Sequence, residues 1–333
     1  MVSSFAELMR VQADIAVAVM RAHHSEWNGQ YEVLPHTGDT ISGVSWDGRI
    51  RYHPLDVVEP LQKMFARAYQ QHDDKTLNEF REAIRTVLHE NIHLLAAEGT
   101  SLAFPLDAYK GVAHRVFEEG VTERAAQNEL NNFIDELDLE RIAPGIKAAT
   151  TFNAYAGFHP AVDMFTEALG EDVGLDAPDI IHRMAVVNSA GKFPIAAELL
   201  YTKHLSQLVP ETAKADAISR IAEAMHEPFA TIATVDAKDP SEVSFAALAG
   251  RAAFKRARAE VQAIAEHWSG NQDLRRALDA GLGATAAPGS TQRNGQGSSG
   301  AQTGGQHGAQ QSRNTPSTDR PRLPPGSAAS SRE

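Results

Sequence analysis

Two histidines four residues apart, His89 and His93, with Glu90 beside the first, are the clearest chemical signature in this 333-residue chain. On an α-helix residues four apart share a face, so the two imidazoles project side by side. Glu90 is rotated about 100 degrees from His89 by the 3.6-residue repeat. Such an arrangement offers two neutral nitrogen ligands to zinc and sets a carboxylate beside the metal's open position. The segment NEFREAIRTVLHENIH, Asn78 to His93, supplies the helix. Leu77, Phe80, Ile84, Val87, Leu88 and Ile92 recur at the spacing of one apolar face. Asp73, Asp74 or Thr76 can cap it and Gly99 can stop it. Two solvated histidines on an amphipathic helix fit the same pattern.

A second informative stretch, VFEEGVTER, spans residues 116 to 124. It lies inside a helix predicted from about Leu106 to Leu137, with Val112, Val116, Phe117, Val121, Leu130, Phe133 and Ile134 as its core stripe. Gly120 in a helix interior costs about 1 kcal/mol relative to Ala. The usual compensation is close approach by another backbone, which predicts that this helix presses on the histidine helix with carboxylates in the seam. Glu119 is then the natural third ligand, and two His with one Glu leave a fourth position for water, as in catalytic zinc sites. Glu123, one turn on, is assigned to accept the other N–H of His89 or His93, which fixes the tautomer. His114 and Glu118 form a competing pair, ranked lower because Glu118 is turned away from the seam. An acid-rich solvated face is the plain alternative for all three glutamates.

At these residues the chain resembles the gluzincin metallopeptidases. HENIH is similar to their zinc helix, and FEEGVTE resembles the segment whose Glu, followed by Gly, is the third ligand. The separation of 26 residues from His93 to Glu119 falls within that family's range. TFNAYAGFHPAVDMFTEALG, residues 151 to 170, looks like the stretch after the glutamate helix in the peptidase-MA-like branch. The resemblance covers about residues 40 to 200 and is strong at the two metal segments. Arg124 departs from it, standing where many members carry an aromatic.

The resemblance implies one zinc ion per chain and hydrolysis of a peptide bond in a peptide or protein substrate. Zinc makes hydroxide available near neutral pH. Glu90 is the expected general base, taking a proton from the attacking water and delivering it to the leaving amine. Tyr155 and His159 are the candidates for stabilising the oxyanion. Each has a plainer reading: Tyr155 as a core aromatic with its hydroxyl satisfied, His159 as the residue that starts a helix before Pro160. His182 in DIIHRMAVV is a weaker candidate, since Ile180, Ile181, Met184 and Val187 around it read as core. A regulatory or interaction protein that keeps the zinc site without proteolysis is the alternative function.

Other elements must hold these helices in place. Residues 4 to 26 read as a helix with capping-box spacing from Ser4 to Glu7, ended by His23 and His24 as surface histidines. Val44 and Trp46, the Asp47-Gly48 turn, and Ile50 and Tyr52 predict a hairpin, with a third strand near Tyr31 to Leu34. Its edge offers strand addition to an extended peptide, and an ordinary structural hairpin fits the same residues equally well. Pro54 and Asp56 introduce a helix to about Gln71. From Ile195 to Gly281 the chain reads as helical, with Pro194 and Pro210 starting helices and Pro228 and Pro240 breaking them. Lys255, Arg256 and Arg258 form a small solvated basic patch.

The expected fold is α+β and predominantly α-helical, zincin-like, with a small antiparallel sheet before the zinc helix. The organisation read from it is a catalytic region at 1–200, a helical lobe at 201–282 and a disordered tail at 283–333. That tail is rich in Gly, Ser, Gln and Pro, too poor in apolar residues to offset its ordering entropy. RPRLPP, residues 320 to 325, is a possible polyproline docking motif, though a flexible tail accounts for it. The chain carries a net charge of −12 and no cysteine, which excludes disulfides and thiolate ligands. Five Arg against Asp319 and Glu333 in the tail leave the body near −15, and an acidic body without a basic stripe argues against nucleic acid. No apolar run approaches the ~18–20 residues of a membrane span. Glu7, Arg10 and Asp14 interrupt the only apolar run near the start, so the expectation is a cytoplasmic protein, with leaderless secretion left open. Oligomeric state is not legible.

Overall fold

The computed structural model describes residues 2–36, 41–98, 105–151, 155, 157–236 and 239–285. The predicted helix stop at Gly99, the RPRLPP motif and the tail after residue 285 lie outside the described residues. The chain divides into a unit spanning Met1–Gly281 and another spanning Leu282–Glu333. The first is predominantly α-helical with a small sheet, and one hydrophobic core runs through it from Val2 to Ile264. No described helix is long and apolar enough to cross a membrane.

Helix α1 (Phe5–Val19) starts on Ser4, whose hydroxyl accepts from the Glu7 N–H. It is shorter than the predicted 4–26: the chain reverses through Arg21 at φ 47°, and His24 enters a strand. That strand, β1 (His24–Ser25), pairs antiparallel with β5 (Leu95–Ala96), which directly follows the histidine helix. Strands β2 (Tyr31–Val33), β3 (Ser42–Val44) and β4 (Ile50–Tyr52) form a three-stranded sheet in the order β2-β4-β3. β3 and β4 are the expected hairpin, with Ser42 opposite Tyr52 and Gly43 opposite Arg51. The third strand corrects the all-antiparallel expectation. The chain leaves β2, crosses to the far side, and inserts β4 between β2 and β3, so β2 runs parallel to β4. Trp46 lies in the turn and is 56% exposed.

A π-helical turn (Pro54–Val58) and helix α2 (Glu59–Ala66) replace the single helix expected to Gln71. Helix α3 (Asp74–His93) is the histidine helix, capped by Asp73, whose carboxylate accepts from the Thr76 N–H at 2.7 Å. It is buried on nearly every side, and its most extensive helix partner is α5. α1 and the sheet lock its C-terminal half: Asn91 and the Tyr52 hydroxyl both donate to Gln12 Oε1, at 3.1 and 2.7 Å. Arg81 ties α3 to the far end of α5 by donating to Asn131 and to the Ile146 carbonyl.

The long helix predicted from Leu106 is two, α4 (Pro105–Lys110) and α5 (Val112–Glu136), broken at Gly111, whose extended backbone re-aims the chain. Val112, placed in the core stripe from sequence, is 41% exposed at that break. After α6 (Leu139–Ile142) come α7 (His159–Val173), α8 (Ala177–Ala185), α9 (Lys192–His204), α10 (Lys214–Ala230) and α11 (Pro240–Thr285). Pro228 sits inside α10, and Pro240 opens α11 rather than breaking a helix. Arg256 and Arg258 of the basic patch are ion-paired with Glu227 and Asp172.

Gly120 does answer a close approach, but from a different helix than expected. A Cβ there would stand 2.7 Å from Val162 Cγ2 and 3.3 Å from Phe158 Cβ, so the contact is with α7 and its start, not with α3. Gly250 is tighter still, since a Cβ would stand 2.0 Å from the Ala161 carbonyl oxygen. Backbone cannot step aside as a side chain can. Gly250→Ala is therefore expected to destabilise the protein by at least ~1–3 kcal/mol despite the better helix propensity of Ala. Urea denaturation followed by circular dichroism reads this directly, and an unchanged midpoint contradicts the α7–α11 contact.

Candidate metal centre

α3 presents a stripe of Arg85, His89 and His93 at intervals of one turn, and α5 presents Glu119 and Glu123 opposite it. The structure brings His89 Nε2 and His93 Nε2 within 3.0 Å of each other. Glu119 Oε2 lies 3.4 Å from the first and 3.3 Å from the second. These three residues form the one His/Cys/Asp/Glu group among the described residues with the spacing of a metal site.

The opposite edge of each imidazole decides what the centre can hold. His89 Nδ1 lies 2.8 Å from Glu123 Oε2, and His93 Nδ1 lies 2.8 Å from Glu118 Oε1. A neutral ring that donates from Nδ1 to a carboxylate presents a lone pair at Nε2. Three acceptors, two nitrogens and a carboxylate oxygen, then converge with no protein donor between them, and Glu119 Oε2 is buried without a hydrogen bond. A bound metal ion, or a proton on one of the imidazoles, makes that arrangement favourable. Ligands at about 2.0–2.2 Å around a tetrahedral ion stand roughly 3.3–3.6 Å apart; the two His–Glu separations, 3.3 and 3.4 Å, fall in that range and the His–His separation of 3.0 Å is shorter. The residues fit a divalent metal.

Charge agrees with geometry. Among the buried groups of this shell, the carboxylates of Glu90, Glu118, Glu119 and Glu123 outnumber the cations Arg85 and Lys192 by two. Each histidine is backed by its own buried relay. Arg85, held also by Glu82, pairs with Glu123 behind His89. Lys192 Nζ lies 3.2 Å from Glu118 Oε2 behind His93, and donates to the Met184 and Val187 carbonyls. Burial alone would raise the Glu123 carboxyl, but the hydrogen bond from His89 and the Arg85 charge bring it down to about 2. Burial likewise opposes charge on His93, yet Glu119 and Glu118 outweigh it and hold the imidazole well above its ordinary value. His89 is raised in the same way, by Glu119 and Glu123.

The sign of the pH dependence follows. With both imidazole pKa values raised in the metal-free protein, protons compete with the ion for Nε2, and that competition strengthens as pH falls. Affinity for a divalent metal, with zinc as the probe, is therefore expected to drop on going from about pH 8 to 6, by roughly ten- to a hundredfold per unit while one or two protons must leave. Competition against a chromophoric chelator measures it, and an affinity flat across that range contradicts the ligand assignment.

The centre opens on a cleft of about 360 Å³. Its wall includes Glu90, whose Oε1 accepts from the Ser42 hydroxyl at 2.6 Å, and the edge strand β3. Tyr155 also lines it, its ring stacked on His89 with centroids 5.3 Å apart. Burial and the nearby Glu119 and Glu90 charges raise the Tyr155 pKa, so its hydroxyl stays a donor. His159 is buried at the start of α7 and is not among the residues lining the cleft. Burial lowers it to about 4, keeping it neutral within electrostatic reach of Glu123, Arg85 and His89. His182 is half-buried on α8 and is not among the lining residues either. Arg124 is paired with Asp163 of α7 at 2.9 Å.

Sequence reasoning set Glu118 aside as lying away from the seam. The structure corrects this: the seam is wide enough for adjacent residues of α5, about 100 degrees apart, to reach it together, and Glu118 is 3% exposed. Its supposed partner His114 turns instead to Phe193 and His226. Arg85 stands one turn before His89, so its place on this face is legible in the sequence, while its pairing with Glu123 is not. Tyr109, which donates to Glu119 Oε1 at 2.6 Å, and Lys192 had no local signal, since each reaches the centre only through tertiary packing.

No family model, curated protein or solved structure matches the chain.

Proposed function

We propose that the chain is a zinc-dependent metallopeptidase with a zincin-like, gluzincin-type centre. The observation that carries this reading is the convergence of His89, His93 and Glu119, with ligand atoms 3.0–3.4 Å apart, beside Glu90 on the wall of an open cleft. Two nitrogens and one carboxylate oxygen suit zinc. A bound zinc polarises a carbonyl and acidifies water.

The chain's own groups supply the remainder. β3 is an edge strand on the cleft, suited to aligning an extended peptide by strand addition. Glu90 accepts the proton of the attacking water and returns it to the leaving amine, with Ser42 holding the carboxylate in place. Tyr155, a neutral hydroxyl on the cleft, is the donor for the developing oxyanion, and Tyr109 offers a second. His159 is not among the residues lining the cleft, so Tyr155 is preferred to it for that role. The test is elemental analysis of the purified protein together with cleavage of a complex peptide mixture by wild type and by Glu90→Gln. Stoichiometric iron, or no metal at all, overturns the zinc assignment.

A further inference from the structure

We propose that Arg51 selects the substrate, and that the cleft takes peptides bearing a carboxylate close to the scissile bond. This rests on the peptidase reading above and names the substrate class that reading leaves open.

Arg51 stands on β4 and lines the same cleft as Glu90 and His93. Arg49, just before the strand, is already paired, with Asp47 at 3.2 Å and with Glu32 at 3.7 Å. Glu32 is the residue opposite Arg51 on β2, but its carboxylate is directed to Arg49. Among the described residues no carboxylate pairs with Arg51, and its Nε is buried with no hydrogen-bond partner. A buried donor left unmet is costly, and guanidinium is the side chain best shaped for two-point binding of a carboxylate.

Gly43 directs that guanidinium toward the substrate. It faces Arg51 across the β3–β4 ladder, and a Cβ there would lie 3.6 Å from Arg51 Nη2. The guanidinium therefore lies across β3 where that strand has no side chain, on the way to the edge that pairs with no other strand among the described residues. The preceding residue, Ser42, is the one that holds Glu90. A peptide added to this edge carries its carboxylate past Arg51 within a residue or two of the bond placed before Glu90. The acid comes from one of two sources, an Asp or Glu side chain or the peptide's own C-terminus.

Binding separates this proposal from catalysis. Zinc-loaded Glu90→Gln protein is incubated with synthetic random-peptide mixtures, one with free and one with amidated C-termini, and the retained peptides are sequenced. Acidic residues enriched at a fixed position in both mixtures identify a side-chain carboxylate, and enrichment confined to the free-acid mixture identifies the terminus. Adding Arg51→Gln is expected to weaken the selected peptides roughly ten- to a hundredfold, and Arg51→Glu to shift selection toward Lys and Arg. Absence of acidic enrichment, or enrichment that survives Arg51→Gln, overturns the proposal. Acidic enrichment without cleavage by wild type sinks the peptidase reading and leaves the recognition of acids standing.

Discussion

Glu90→Gln is expected to lower peptide cleavage by roughly 10²–10⁴-fold while leaving zinc content and KM nearly unchanged. Gln is isosteric and still accepts from the Ser42 hydroxyl that bonds Glu90 Oε1 at 2.6 Å, so the wall of the cleft keeps its shape. Glu90 is not one of the three converging ligands, so a bound ion would stay. What disappears is a carboxylate able to take and return a proton, an effect confined to the transition state. Steady-state kinetics on the best cleaved peptide, with metal content measured on the same sample, decides the matter. If turnover survives, another base acts; if zinc is lost, Glu90 is serving the metal.

Lys192→Met is expected to cost about 3–5 kcal/mol of folding stability in the metal-free protein and to weaken zinc binding by roughly 10–100-fold. Lys192 is 1% exposed, and its ammonium lies 3.2 Å from Glu118 Oε2, while Glu118 Oε1 orients His93. Burial lowers the Lys192 pKa, with the Glu118 charge opposing that shift. Removing the lysine leaves a carboxylate stranded away from water, and that carboxylate is what aims the ring. Changing Glu118 to Gln as well removes the uncompensated charge, so Lys192→Met/Glu118→Gln should recover most of the lost stability. Denaturant titration reads stability and chelator competition reads the metal. A single variant as stable as wild type would show that the ion pair behind His93 contributes nothing, and the two-relay description of the centre would fail.

Residues that act on one another within a single helix turn were readable in advance. His89, Glu90 and His93 share one stretch of α3, and their relation follows from the helical repeat. Glu119 and Glu123 share α5 in the same way, so each helix could be read as half of a centre. The Asp73 cap and the β3–β4 hairpin at Asp47-Gly48 are equally local, depending on backbone groups a few residues away.

Tertiary structure decided how the halves meet. Which carboxylate of α5 points at which imidazole depends on how that helix is rotated against α3, and here the rotation buries Glu118 as well as Glu119 and Glu123. Gly120 signalled a close neighbour but could not say which, and the neighbour is α7. β2 carries no mark of being parallel to β4, because strand order depends on which side of the sheet the connecting chain crosses. Lys192, Tyr109 and Arg51 come to the centre from distant parts of the chain and show no periodic signal. Sequence by itself determined the chemistry available on each helix, since that chemistry depends on spacing along one backbone. The closed centre and the cation on its cleft depend on packing between elements, where the partners of a buried charge are chosen by the fold.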